Sequence, residues 1–156
     1  KLVVEKKPEA VEDVITNALA YVKGRRKQRR VEIDIPEEML LVKMDGKMIV
    51  QVLINLLDNA IKFSNDNSSI QIETTVKNGK VFVSVKDHGT GIPKESLNKI
   101  WDRFYKIDAS RGKDRKGTGL GLSIVKEIIN AHNQNIDVIS TEGVGTEFIF
   151  TLEKTK

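Results

Sequence analysis

The stretch KMIVQVLINLLDNAIKF, residues 47–63, decides the fold. At about 100° per residue, Val52, Leu53, Leu56, Leu57 and Ala60 share one side, while Asn55, Asp58, Asn59 and Lys62 gather within an arc of about 100° on the other. That spacing predicts a helix laid on an apolar core. A polar stripe is ordinarily the wet face of such a helix. This one joins two amides, an acid and a lysine. An amide oxygen suits Mg²⁺, a hard cation held by few protein ligands together with phosphates and water. A lysine one turn further suits phosphate oxygens. On its own the stripe leaves both readings open.

On either side the pattern changes period. Residues 8–26 read as a helix, with Pro8 near its start and Val11, Val14, Ile15, Ala18, Leu19 and Val22 as its apolar stripe. Residues 31–35 alternate and stop at Pro36, which predicts a strand, and residues 40–44 a short second one. Residues 70–76 and 80–86 alternate around Asn78-Gly79, a hairpin signal because both residues tolerate positive φ. Residues 120–131 read as a helix. Residues 136–140 and 146–152 form a second hairpin, turning at Glu142-Gly143. Between residues 88 and 118 the chain is glycine-rich, charged and poorly periodic apart from a short helical turn near residues 95–100. A loop that long inside a compact domain is functional or mobile. Helices do not alternate regularly with single strands, so a mixed sheet covered on one face by helices fits better than a doubly wound parallel sheet. The expectation is one α+β domain over residues 1–156, a two-layer α/β sandwich with a mixed sheet of about five strands and helices on one face.

The chain has 156 residues, 31% charged and 39% hydrophobic, enough for one full core and unlike a disordered or membrane composition. Its longest apolar run, residues 50–57, is broken by Gln51 and Asn55 and is too short to span a bilayer. The opening KLVVE carries neither an initiator Met nor a signal-peptide pattern, which predicts a fragment of a longer protein. Cysteine is absent, so disulfides and thiolate metal sites are excluded. Net charge is +4, concentrated in residues 23–30 (KGRRKQRR) and 113–116 (KDRK). The first run has no interleaved aromatics for base stacking, so it reads as a solvated helix end and loop and not as a nucleic-acid site. The second lies beside glycines, where a phosphate ligand is plausible.

Two glycine motifs flank the long loop. In DHGTGI, residues 87–92, Gly89 and Gly91 allow sharp bends and close approach to a ligand. Asp87, at a strand end, can accept a hydrogen bond from an exocyclic amine such as that of adenine. The same pattern also describes a simple turn. In GTGLGL, residues 117–122, exposed amides and a helix start make a phosphate seat. Neither motif is a Rossmann fingerprint, because Lys94 and Leu122 stand where its third glycine is required. Nor is there a P-loop, since Thr118 replaces its lysine.

Taken in order, residues 50–63, 87–92 and 117–122 resemble the N, G1 and G2 boxes of bacterial sensor histidine kinases. That superfamily is shared with type II topoisomerases, heat-shock chaperones and mismatch-repair ATPases. Residues 100–108 (IWDRFYKID) resemble the F box of these kinases, and residues 143–148 (GVGTEF) their final glycine hairpin. Residues 51–60, with Asp45 upstream, are similar to the potassium-responsive Kdp type. The resemblance implies a Bergerat-type fold, Mg²⁺ and ATP as cofactors, and a mobile ATP lid over residues 94–116. It implies that Asn59 holds the metal, Asn55 supports metal and phosphates, Lys62 meets phosphate and Phe63 lies against the nucleotide. Asp87 would read the adenine amino group with Thr146 beneath it, beside Gly89, Gly91 and Ile92. Tyr105 would touch nucleotide, and Gly117, Thr118, Gly119, Leu120 and Gly121 would line the phosphates. Lys106 stands where many relatives carry an arginine for the γ-phosphate; it keeps the charge without the planar fork. Trp101 replaces a phenylalanine of the F box.

A histidine acceptor is missing. His88 sits in a glycine turn, His132 follows the last helix and helps end it, and neither has the histidine–acid neighbourhood of an acceptor helix. The fragment is therefore expected to be a cytoplasmic, monomeric ATP-binding domain of a membrane-anchored sensor. It would donate phosphate to a histidine on its parent's dimerisation helices, and through it to a response regulator. The alternatives are a serine kinase of the same superfamily, such as an anti-sigma factor, and a nucleotide-binding regulatory module without kinase activity.

Overall fold

Apolar residues at two periods sort the chain, in a computed structural model that describes residues 2–26, 28–65, 67–103, 105 and 121–155, into helices and strands. The order is β1 (Lys7–Ala10), α1 (Val11–Val22), β2 (Arg30–Asp34), β3 (Leu41–Met44), α2 (Gly46–Phe63), β4 (Ser69–Lys77), β5 (Lys80–Asp87), a 3₁₀ turn (Lys94–Ser96), α3 (Gly121–Ala131), β6 (Ile136–Thr141) and β7 (Gly145–Lys154). The strands form one sheet in the order β1-β3-β7-β5-β4-β2, with β6 also on β7. Among the described residues only the β2–β4 pair is parallel. Strand β7 is the spine: β5 runs along one edge, while β6 and then β3 share the other.

Register places Ile72 and Thr74 of β4, Val81, Val83 and Val85 of β5, and Phe148, Phe150 and Leu152 of β7 on one sheet face, all buried. The helices cover that face. Val52, Leu53, Leu56, Leu57 and Ala60 of α2 are buried on it, as the 3.6 period requires. Helix α2 packs against both α1 and α3 as well as against β5. Carboxylates favour its positive end. Asp45 accepts from the Met48 N–H (3.5 Å), and Glu9 accepts from the Gly46 N–H (3.1 Å).

The α+β sandwich is as expected, but among the described residues the sheet has seven strands instead of about five. The extra edge strand, β1, takes residues assigned to the start of a helix. Pro8 lies opposite Lys43, at a sheet edge where a missing N–H costs little. Helix α1 accordingly begins at Val11 and ends at Val22, short of Gly24.

Candidate functional site

The polar stripe of α2 and the end of β5 open into one cleft. It is lined by Asn59, Phe63, Asp87, Gly91, Ile92, Thr146 and Phe148, around a small cavity of about 10 Å³ that opens to solvent. Phe63, Ile92 and Phe148 give it an apolar lining, beside the Asp87 carboxylate, Asn59 and Thr146. Strand pairing accounts for the carboxylate's place, because Asp87 ends β5 opposite Thr146 of β7. Asp87 is only 6% exposed. Its Oδ1 accepts from the Gly89 N–H (2.9 Å). Burial pushes its pKa up from 3.8, partly opposed by the backbone N–H groups of Gly89 and Thr146 and by nearby His88.

The turn after Asp87 is stitched to its surroundings. Thr90 N–H donates to the Phe63 carbonyl at the end of α2 (3.1 Å), and Gly143 N–H donates to the Thr90 carbonyl (2.7 Å). A Cβ on Gly89 would collide with that Phe63 carbonyl, and one on Gly91 (φ 74°) with the Thr141 backbone. The close approach these glycines permit is thus to protein backbone, which refines the expectation of approach to a ligand. Below them, Ser140 Oγ accepts from the Ile92 N–H (2.8 Å) and donates to the Gly145 carbonyl (3.0 Å). Its only proton is then spent, so the 2.8 Å contact with Thr146 Oγ1 is a donation from Thr146. Ser140 and Phe148 are members that sequence reasoning did not single out. Pairing of β6 with β7 across the 141–145 turn is the signal that could have found Ser140.

At the other end of the stripe, Asn55 Nδ2 donates to the carbonyl of Gly121, the first residue of α3 (3.3 Å), while its Oδ1 accepts from Gln51 (3.0 Å). Asp58 turns outward to an exposed ion pair with Arg25 (2.9 Å). Lys62 Nζ stands 5.7 Å from the Phe63 ring centroid. Tyr105 is not among the cleft-lining residues; its hydroxyl donates to Ser96 Oγ (2.8 Å). Trp101 packs edge-to-face on Phe148 (5.8 Å), so the bulkier ring docks on a residue that lines the cleft. His88 is exposed. Lys106, Gly117, Thr118, Gly119 and Leu120, most of the expected lid and the 113–116 run lie outside the described residues.

His132 does more than end α3. It is 1% exposed; its Nδ1 donates to the Ile128 carbonyl (2.9 Å), and its Nε2 accepts from the Asp45 N–H (3.0 Å). Burial lowers its pKa from 6.5. The basic run 23–30 also has a buried member. Arg29 reaches Ser64 at the end of α2, which corrects the reading of the whole run as solvated.

Among the described residues no group of three or more His, Cys, Asp or Glu could hold a metal. The donors on offer are the amides of α2, which fit Mg²⁺ carried chiefly by phosphates and water and not a cage of carboxylates. An apolar lining with one buried acceptor is chemically suited to a purine bearing an exocyclic amine. No helix among the described residues is long and apolar enough to cross a membrane.

Residues 44–156 match the family model described as histidine kinase-, DNA gyrase B-, and HSP90-like ATPase. The chain is 37% identical to the sensor protein KdpD of Clostridium acetobutylicum over 97% of its own length, and 41% identical to the sensor histidine kinase WalK of Bacillus subtilis over 81%. It spans only 17% and 21% of those two proteins. Among solved structures it is similar to the catalytic domain of histidine kinase ThkA. There the TM-score is 0.83 and the identity 33%, with 97% of each chain covered.

Proposed function

The chain belongs to the family of histidine kinase-, DNA gyrase B- and HSP90-like ATPases, as a catalytic domain of the sensor histidine kinase kind, and on that premise we propose that it binds Mg-ATP in the α2–β5–β7 cleft and passes the γ-phosphate to a histidine outside this chain. The observation that carries the reading is that Asn59 and Asp87, from separate elements, line one cleft. Two unrelated surfaces would have left no nucleotide to share.

Each residue then has a task. Asp87 accepts a hydrogen bond from the adenine amino group, backed by Thr146 and Ser140. Phe63, Ile92 and Phe148 hold the base and exclude water from that bond, which strengthens it. Lys62 meets phosphate charge. Asn55 keeps Gly121, the start of α3, beside the polar stripe. Asn59, supported by Asn55, would hold Mg²⁺, which when bound neutralises phosphate charge. Phosphoryl transfer is mostly positioning and charge neutralisation, so a domain that supplies these without an acceptor turns over little alone. His132 is buried with both ring nitrogens engaged, which supports placing the acceptor elsewhere. The parent's dimerisation helices would carry the acceptor, and a response regulator would receive the phosphate next.

Calorimetric titration with a non-hydrolysable ATP analogue, with and without Mg²⁺, tests the first half. Incubation with ATP and a two-helix acceptor fragment of the parent tests the second. Acid-labile phosphohistidine on that fragment is the expected product. Phosphoserine on a small antagonist protein would favour the serine-kinase alternative, and absence of nucleotide binding would end both.

A further inference from the structure

Arg29 is a cation 8% exposed, in a chain whose other basic-run side chains at Lys23, Arg25 and Arg30 are exposed. Burying a guanidinium is costly unless its N–H groups are satisfied. Here Nε donates to Ser64 Oγ (2.8 Å), Nη2 to the Ser64 carbonyl (2.8 Å) and Nη1 to the Arg26 carbonyl (3.3 Å). The planar fork therefore grips both the hydroxyl and the carbonyl of one residue, a geometry a lysine cannot reproduce. It also places positive charge at the negative end of α2.

Ser64 is where α2 stops: its backbone is extended (φ −102°, ψ 163°), so the chain turns sharply away after Phe63. That turn leaves the Phe63 carbonyl without a helical partner and free to accept from Thr90. Gly89 is pressed against the same carbonyl and donates to Asp87 Oδ1. A continuous path runs from the Arg29 fork through Ser64 and the Phe63 carbonyl to the turn 89–90 and the Asp87 carboxylate. If the end of α2 shifted, Phe63 and the Asp87 carboxylate, which both line the cleft, would shift together.

We propose that Arg29 is a positioning residue for base recognition: by fixing the direction in which the chain leaves α2, it sets the Phe63 carbonyl, the 89–90 turn and hence the Asp87 carboxylate that selects adenine. This rests on the reading of the cleft as an adenine site. Asn59 and Asn55, which serve the metal and phosphate end, lie about one and a half and two and a half turns before Ser64, so the effect of Arg29 falls chiefly on discrimination between bases, with Lys62 the one phosphate contact near enough to move with it. A simple stabilising role would weaken every nucleotide alike.

The test is competition binding of ATP and GTP against a fluorescent ATP analogue, at a temperature where circular dichroism shows each variant folded. Arg29→Gln is expected to weaken ATP about tenfold while GTP changes by less than about twofold. Arg29→Lys should recover part of the loss. Arg30→Gln, an exposed neighbour in the same run, should match the unaltered chain, which excludes a general charge effect. Should Arg29→Gln not fold, Ser64→Ala decides. It removes one of the two grips, and about threefold weaker ATP with unchanged GTP is expected. Unchanged ATP affinity, or equal weakening of ATP and GTP, in the deciding variant overturns the proposal. Failure of the adenine reading is separately visible, as unaltered chain that does not bind ATP or as Asp87→Asn that binds it normally.

Discussion

Asp87 carries two opposed demands at the scale of a single residue. Its burial raises the carboxyl pKa above 3.8, so the stability it contributes is complete below that value and is lost as pH rises through the folded one. At neutral pH the ionised group is a cost to the fold and an asset to the ligand. Asp87→Asn is therefore expected to melt at the same or a higher temperature while ATP affinity falls by about a hundredfold, since an amide offers the adenine amino group a donor as readily as an acceptor. Parallel melting and calorimetry check this, and a variant that loses stability as well as binding would contradict it. His132 shows the reverse sign. Its folded pKa lies below 6.5, chiefly through burial, then through Lys6, and against the Ile128 carbonyl and Asp45. The stability it contributes is complete above 6.5 and is lost as pH falls towards the folded value. Denaturant unfolding at pH 7.5 and 5.5 should show the unaltered chain and His132→Gln drawing closer in stability at the lower pH. An offset that stays constant would assign the acid sensitivity elsewhere.

Elements were legible where their signal is local. The 47–63 stripe reproduces α2 to within a residue, and Asn78-Gly79 turns the β4–β5 hairpin with φ of 53° and 78°. What the sequence did not disclose depends on partners far along the chain. Strand β1 exists because β3 offers it an edge, and no period in four residues containing Pro8 announces that. Arg29 looks like any member of a basic run until Ser64 is folded beneath it. Glycines illustrate the same divide. Gly79 is needed only for its φ, with open space around it, so Gly79→Ala should cost about 1 kcal/mol and leave ATP affinity alone. Gly89 is needed for the Phe63 carbonyl beside it. Gly89→Ala should cost about 1–3 kcal/mol through overpacking and weaken ATP as well, because the displaced turn carries Asp87. Urea unfolding and ATP titration of the two variants separate these expectations. Equal ATP affinity in both would mean that the turn tolerates a methyl group.

Over the whole molecule, the cleft joins parts that are distant in sequence: the helix ending at Phe63, the strand ending at Asp87 and the hairpin around Thr146. A ligand held by all three binds only the folded chain, so it must raise the unfolding temperature by mass action. At a free concentration of one hundred times Kd the gain is about 2.7 kcal/mol. For a domain of this size that corresponds to a shift of roughly 5–10 °C. Trp101, the single tryptophan, packs edge-to-face on Phe148, which lines the cleft, and reports the transition by fluorescence without any label. With Mg-ATP the full shift is expected. Removing the metal with a chelator should leave a smaller shift, because the base contacts at Asp87 persist while phosphate charge faces Lys62 unneutralised. Asp87→Asn should abolish the shift with or without metal. Equal shifts with and without Mg²⁺ would remove the metal role from Asn59 while leaving the adenine site intact, so the two ends of the cleft can be tested apart.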